Sequence, residues 1–167
     1  YNEVPIVIAN VGRVSPGTGV VSLPHMGDIM QARFGGNGDY EIIAIAPSSA
    51  QESFDFTIMA FNLAETWRVP TIILSDAMHG HMREKVIIPT QEEIDQRVVK
   101  RRNPTDEEKS REEFFTREEN GKFIIPAMPT LGTDYYPLWY STIMHNKMSL
   151  PILDSESAFS EVKCLCE

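Results

Sequence analysis

Val4-Pro5-Ile6-Val7-Ile8-Ala9-Asn10-Val11-Gly12-Arg13-Val14-Ser15-Pro16-Gly17-Thr18-Gly19 is the stretch whose reading decides the fold. Val4–Ala9 is an unbroken apolar run rich in β-branched residues, the composition of a strand covered on both faces. Asn10 ends the run, so the chain leaves the sheet close to it. The residues beyond Asn10 bring a guanidinium, a hydroxyl and a loop of Gly and Pro to one point. Gly17 and Gly19 let backbone N–H groups approach a ligand with no Cβ in the way. Arg13 can hold a carboxylate or phosphate through two parallel hydrogen bonds. In an open parallel sheet, the carboxyl end of a strand is where ligands sit. The same residues also suit an ordinary strand-to-helix loop with a surface arginine.

Two further runs continue the pattern. Ile42–Ala46 is a second strand, ended by Pro47, and Pro70–Leu74 a third, ended by Ser75-Asp76. Between them Ser49 and Glu52 make a capping box for a helix over Gln51–Trp67. Phe56, Met59, Ala60, Leu63 and Trp67 form one apolar stripe on it, and Phe54, Ile58 and Phe61 a neighbouring one. A surface that wide belongs to a helix packed on a sheet and on something else as well. A shorter helix is expected from about His25 to Phe34. Strand, helix, strand, helix, strand predicts α/β architecture: a parallel sheet with helices on both faces.

Composition changes after Pro89. Thr90 and Glu93 cap a charged helix whose acids come early and whose Lys100, Arg101 and Arg102 come late, which suits the helix dipole. Asn103-Pro104 breaks it. Thr105 and Glu108 start a second charged helix, closed by Asn120-Gly121. The expected organisation is an α/β domain over 1–89, a charged helical arm over 90–121, and an apolar, aromatic extension over 122–167 that drapes on the domain or on a partner. The arm reads as solvated helices with no catalytic role. No internal repeat is evident.

A chain of 167 residues, 42% of them apolar, has one domain's worth of core. Its formal charge of −9 argues against nucleic acid as a partner. Up to Met82 the only basic residues besides histidine are Arg13, Arg33 and Arg68, so a cation at a strand end stands out as an anion ligand. Cys164 and Cys166 are spaced awkwardly for a disulfide and too few for an iron–sulfur cluster, so they read as free thiols of a reducing, cytoplasmic compartment. No apolar run approaches the ~20 residues of a membrane span, and no signal peptide opens the chain. A start at Tyr1 suggests a piece of something longer. No GxxxxGKS phosphate loop is present, and no Cys–His nucleophile pair is credible. His79-Gly-His81 is a poor metal motif, and His25 suits a helix start.

Pro5–Arg13 with Pro16-Gly17-Thr18-Gly19, then Leu23-Pro24-His25-Met26-Gly27-Asp28, Ala46-Pro47-Ser48-Ser49, Ala60-Phe61-Asn62-Leu63-Ala64, Leu74-Ser75-Asp76 and Gly80-His81-Met82-Arg83-Glu84-Lys85 resemble the alpha subunit of the 2-oxoacid:ferredoxin oxidoreductases, in the branch of 2-oxoglutarate synthase. The match is nearly gap-free over residues 4–89. Ile125–Pro129, Gly132 and Tyr135–His145 look like a degraded form of the family's next segment. The resemblance implies the second half of the domain that binds the aminopyrimidine of thiamine diphosphate. It implies oxidative decarboxylation of a 2-oxoacid with coenzyme A, electrons passing to ferredoxin. Arg13 and Ser22, with Thr18 on the same loop, are implied to bind the substrate; no residue of this chain is implied as catalytic. Thiamine diphosphate with Mg2+ is implied to be shared with, or held mainly by, a beta subunit, and any iron–sulfur cluster to lie on another chain.

The departures are specific. Gly12-Arg13 stands where the family has Gln-Arg, Pro16-Gly17-Thr18-Gly19 where it has Pro-Ser-Thr-Gly, and Ser22 where it has Thr. Met144-His145-Asn146-Lys147 replaces Thr-His-Asp-Glu and loses two acids. The family's upstream half, with its activating glutamate, and a Gly-Asp-Gly diphosphate motif are not among these residues. The chain is therefore expected to be inactive alone and to oligomerise or assemble through an open sheet edge. A non-catalytic interaction module of the same fold, and the pyrimidine domain of another thiamine enzyme, are the rival readings.

Overall fold

The computed structural model describes residues 2–21, 23, 27–36, 40–111, 114–132 and 143–166. They divide into two units: Val4–Gly38 with Ile42–Val99, and Tyr1–Glu3 with Asp39–Glu41 and Lys100–Glu167.

The first unit is the α/β body. Strand β1 (Val7–Gly12), helix α1 (Asp28–Phe34), β2 (Ile43–Ile45), α2 (Ala50–Trp67), β3 (Thr71–Asp76), α3 (Ala77–His81) and α4 (Gln91–Arg97) come in that order. The sheet order is β1-β3-β2, and both pairings are parallel, as the sequence predicts. β3 is central because its side chains suit burial on both faces: Thr71, Ile72, Ile73 and Leu74 are all buried. Ile72 and Leu74 share a face and form a core with Ala32 of α1, against which Ile42 packs.

The boundaries move in an informative way. β1 begins at Val7 and continues to Gly12, three residues past the expected end. Its register against all six residues of β3 keeps it in the sheet: Val7 lies opposite Thr71 and Gly12 opposite Asp76. Residues 24–26 and 22 lie outside the described set; α1 starts at Asp28. On α2 the closest-packed positions are Ala60 and Ala64, whereas Met59, Phe61 and Trp67 of the two stripes stay exposed. α2 meets all three strands, and small residues let its backbone approach them. It ends where Arg68 turns left-handed at φ 52°.

α4 stops at Arg97 rather than running to Arg102. Asn62 is the reason: its amide donates to the Arg97 carbonyl at 2.6 Å and accepts from the Val99 N–H at 2.8 Å. The β-branched pair Val98-Val99 suits the extended path this imposes.

In the second unit α5 (Asp106–Arg111) is short, and β4 (Arg117–Glu119) and β5 (Lys122–Ile124) form an antiparallel hairpin. Asn120-Gly121 is therefore a hairpin turn and not a helix end. Both residues have positive φ, at 53° and 73°, which fits the two-residue turn that asparagine and glycine favour. Arg102 and Glu108 form a two-pronged ion pair at 2.7 Å, with α5 next to it. The buried His145 ring lies 4.1 Å from that of Phe115. Helix α6 (Ser155–Cys166) closes the unit, and the Glu41 N–H donates to its Leu165 carbonyl at 3.3 Å. Residues 133–142 of the aromatic extension lie outside the described set. Among the described residues no helix is long and apolar enough to cross a membrane.

Candidate functional site

Three parallel strands end on one side of the α/β unit, and each hands on to a polar segment. Arg13 comes directly after β1. It is exposed, and among the described residues no carboxylate pairs with it. The loop beyond it is a closed turn: the Gly19 N–H donates to the Pro16 carbonyl at 3.2 Å. Gly17 and Gly19 sit at φ 64° and 70°. A Cβ on Gly19 would collide with the Val14 carbonyl oxygen, while one on Gly17 would meet open space. The expectation that both glycines leave amides for a ligand is thus corrected at Gly19, whose amide is spent inside the loop. Thr18 is on this turn and exposed. Ser22 lies outside the described residues. The structure therefore brings Arg13 and Thr18 onto one loop.

At the end of β3, Asp76 accepts the His79 N–H at 2.9 Å and lies 3.6 Å from that ring's Nδ1. His79 Nε2 is buried, with no hydrogen-bond partner among the described residues. His81 is exposed. At the end of β2, Glu52 takes 2.7 Å hydrogen bonds from the Ser48 hydroxyl and N–H, which hold its carboxyl below the ordinary range. The Glu52 N–H donates to the Ser49 hydroxyl at 3.0 Å. Helix α2 is thus capped as the sequence indicates, except that the glutamate reaches back to Ser48 and not to Ser49. The Ala50 N–H, the first of α2, donates to Glu84 at 2.9 Å. Gln51 holds the same downstream segment through both its amide atoms, at 2.7 and 3.3 Å from the Ile87 backbone. Sequence reasoning missed this brace, because nothing local marks a contact thirty-odd residues away.

The rim can grip an anion at Arg13. Its carboxylates at α2 are already engaged. Among the described residues no group of three or more His, Cys, Asp or Glu side chains is placed to hold a metal ion.

Residues 1–154 match the family described as pyruvate flavodoxin/ferredoxin oxidoreductase, thiamine diphosphate-binding. The chain is 45% identical over 168 residues to the 2-oxoglutarate synthase subunit KorA of Methanothermobacter thermautotrophicus, covering 99% of this chain and 42% of that one. It is 40% identical over 155 residues to the same subunit of Methanocaldococcus jannaschii, covering 93% and 39%. A ketoisovalerate oxidoreductase subunit, VorB of Methanothermobacter thermautotrophicus, is 43% identical over 88 residues, 52% of this chain and 25% of that one. The chain thus spans about two fifths of the curated relatives that match it along most of its length. In fold it resembles a 2-oxoglutarate:ferredoxin oxidoreductase from Magnetococcus marinus, solved with 2-oxoglutarate, coenzyme A and succinyl-CoA bound. The TM-score is 0.69 at 22% identity, over 95% of this chain and 26% of that one.

Proposed function

We propose a function from one premise: this chain belongs to the pyruvate flavodoxin/ferredoxin oxidoreductase, thiamine diphosphate-binding family. It works as a portion of the alpha subunit of a 2-oxoacid:ferredoxin oxidoreductase. The assembled enzyme oxidatively decarboxylates a 2-oxoacid, of which 2-oxoglutarate is the choice the relatives favour, to carbon dioxide and an acyl-CoA, and ferredoxin takes the electrons. A beta subunit supplies the metal–diphosphate end of thiamine diphosphate with its Mg2+. The cofactor's own chemistry breaks the carbon–carbon bond.

This chain's residues bind and orient. The single observation that carries the reading is the place of Arg13: exposed, at the carboxyl end of a parallel strand, above a turn that Gly19 locks. A guanidinium there holds the substrate carboxylate in two parallel hydrogen bonds, which fixes the plane of the 2-oxoacid. Thr18, with Ser22 beyond it, supplies a hydroxyl to the keto group. The test uses the complete enzyme. Arg13→Ala removes one partner of a charged hydrogen bond, a loss on the order of 2–5 kcal/mol. The expected result is a fall in kcat/KM for the 2-oxoacid of at least ~30-fold with thiamine diphosphate affinity unchanged. Arg13→Lys keeps the charge and loses the fork, so it falls between the two. Unaltered 2-oxoacid kinetics in Arg13→Ala, or lost cofactor binding, refutes the assignment.

A further inference from the structure

We infer that the cleft between α5 and the β4–β5 hairpin is a binding site for a phosphate monoester, with Arg111 and Arg117 as its two cationic arms. The cleft lies within the second unit and has a volume of about 340 Å³. That is at the lower end of the ~300–1,000 Å³ typical of small-molecule sites. Its lining gathers three guanidinium groups in a chain whose formal charge is −9. Arg102 comes from the run before α5, Arg111 is the last residue of α5, and Arg117 is the first of β4. They are engaged to different degrees. Arg102 gives both prongs of its fork to Glu108 at 2.7 Å, and the Thr105 N–H donates to the same carboxylate at 2.8 Å. That pair balances its own charge and forms one wall. Arg111 bonds to Glu107 at 2.7 Å, one turn back on the helix, but the two side chains are 47% and 75% exposed. An i,i+4 pair so open to water is weak, and a ligand can displace it. The Arg117 side chain is only 14% exposed, and Glu119 lies 3.8 Å from it, beyond hydrogen-bond length.

Charge and shape select the ligand class. Two guanidinium groups are matched by two negative charges, and a phosphate monoester carries about −1.5 to −2 at pH 7. A monocarboxylate carries one. The three terminal oxygens of the ester point in different directions, so one can take a fork from α5 and another a fork from β4. A planar carboxylate is filled by a single fork. The remaining wall suits the carbon body of the ester. Arg117 and Ile124 stand opposite each other on β4 and β5, so they share a face of the hairpin, and Pro126 continues the lining beyond it. Among the described residues Glu107 and Glu108 are the acids of the lining. Glu108 is held by Arg102. Glu107 is the competitor, since the ligand takes Arg111 from it and releases its carboxylate to water.

The test is a calorimetric titration of the complete enzyme with phenyl phosphate at about pH 7.5, where the ester is doubly charged. Arg117→Gln should weaken binding on the order of 30-fold, and Arg111→Gln about 10-fold. Glu107→Gln should tighten it about 3-fold, because the competitor for Arg111 is gone. Inorganic phosphate, which cannot use Ile124 and Pro126, should bind about 10-fold more weakly than phenyl phosphate. Benzoate, with the same ring and one charge, should not compete. Equal affinity of phenyl phosphate for the wild type and the arginine variants overturns the proposal. Inorganic phosphate binding as tightly as the ester makes the free ion the ligand and overturns it too, and so does benzoate binding as tightly. If Arg117→Gln fails to assemble, the opposite signs at Arg111 and Glu107 decide, since a purely structural ion pair would move neither affinity. Arg13→Ala should leave phenyl phosphate binding unchanged, so this outcome is independent of what Arg13 holds.

Discussion

Gly17 and Gly19 show how differently two glycines of one turn are constrained. Both have positive φ, which disfavours any side chain, but only Gly19 also faces a backbone oxygen, that of Val14. Gly17→Ala should cost about 1 kcal/mol, the left-handed penalty alone. Gly19→Ala adds a collision with main chain that no rotamer relieves, and should cost at least ~2 kcal/mol and displace Arg13 with the loop. Thermal melts of the two variants test the difference, and equal losses would show that the Val14 carbonyl yields. Thr71 gives the opposite sign. Its side chain is fully buried, and its hydroxyl has no partner among the described residues. Thr71→Val keeps the shape and removes an unsatisfied polar atom, so stability should hold or rise by up to ~1 kcal/mol. The sequence marks a glycine-rich loop and a basic residue in an acid-rich half. It does not mark which glycine amide is consumed internally, because that depends on how the turn brings the Pro16 carbonyl back to Gly19.

Elements were legible where periodicity and burial agree. The β-branched runs and the length of α2 mark three parallel strands and their crossover. The helix ends after Pro89 were not, since they are set by distant groups. Asn62 stops α4 by binding Arg97 and Val99, and Asp55 pairs with Arg97 at 2.7 Å. Asn62→Ala should therefore lengthen or loosen α4, cost about 1–2 kcal/mol, and raise amide exchange at Val99 while that of β3 is unchanged. Unchanged exchange at Val99 would leave α4 held by something else. In the hairpin, alternating charge hid two short strands, and Asn120-Gly121 carried the signal as a turn. Beside α5, the Arg102 guanidinium holds the Glu108 carboxyl down to about 2, well below the usual carboxylate range. A depressed carboxyl stabilises the fold above its unfolded pKa and loses that stability as pH falls through the folded one. The pair's contribution, about 1 kcal/mol for a largely solvated pair, should be complete above pH ~5 and fade towards pH 2. Arg102→Gln should abolish that slope between those limits in acid unfolding curves.

At the scale of the molecule, the described residues form two units between which the chain passes more than once, the last time between Val99 and Lys100, and Arg13 and Thr18 belong to the unit of Val4–Gly38 and Ile42–Val99. The composition shift after Pro89 is legible in the sequence, but contacts keep α4 with the sheet, so the spatial division falls between Val99 and Lys100. Charge explains why sequence alone misses this: α4 looks as solvated as α5, but Arg97 at its end bonds to Asp55 and Asn62 of α2. The division makes a prediction for limited proteolysis. Trypsin needs an exposed basic residue in backbone that can extend into its cleft, which favours stretches of low local stability. Besides Arg13, whose loop is closed by the Gly19–Pro16 hydrogen bond, two stretches qualify, Arg83 with Lys85 and Lys100 with Arg101, and all four residues are exposed. The first is braced to α2, since Glu84 accepts the Ala50 N–H and Gln51 holds both backbone groups of Ile87. Lys100 lies at the unit boundary, in backbone with no regular structure. The first cut should fall after Lys100 or Arg101 and leave a fragment beginning at Tyr1 that survives longest. Gln51→Ala should then open the second site at Arg83 and Lys85. Mass spectra of early digests that show cleavage at Arg83 or Lys85 first in the wild type would mean that the brace does not hold the segment, and that the sheet unit ends nearer Pro89.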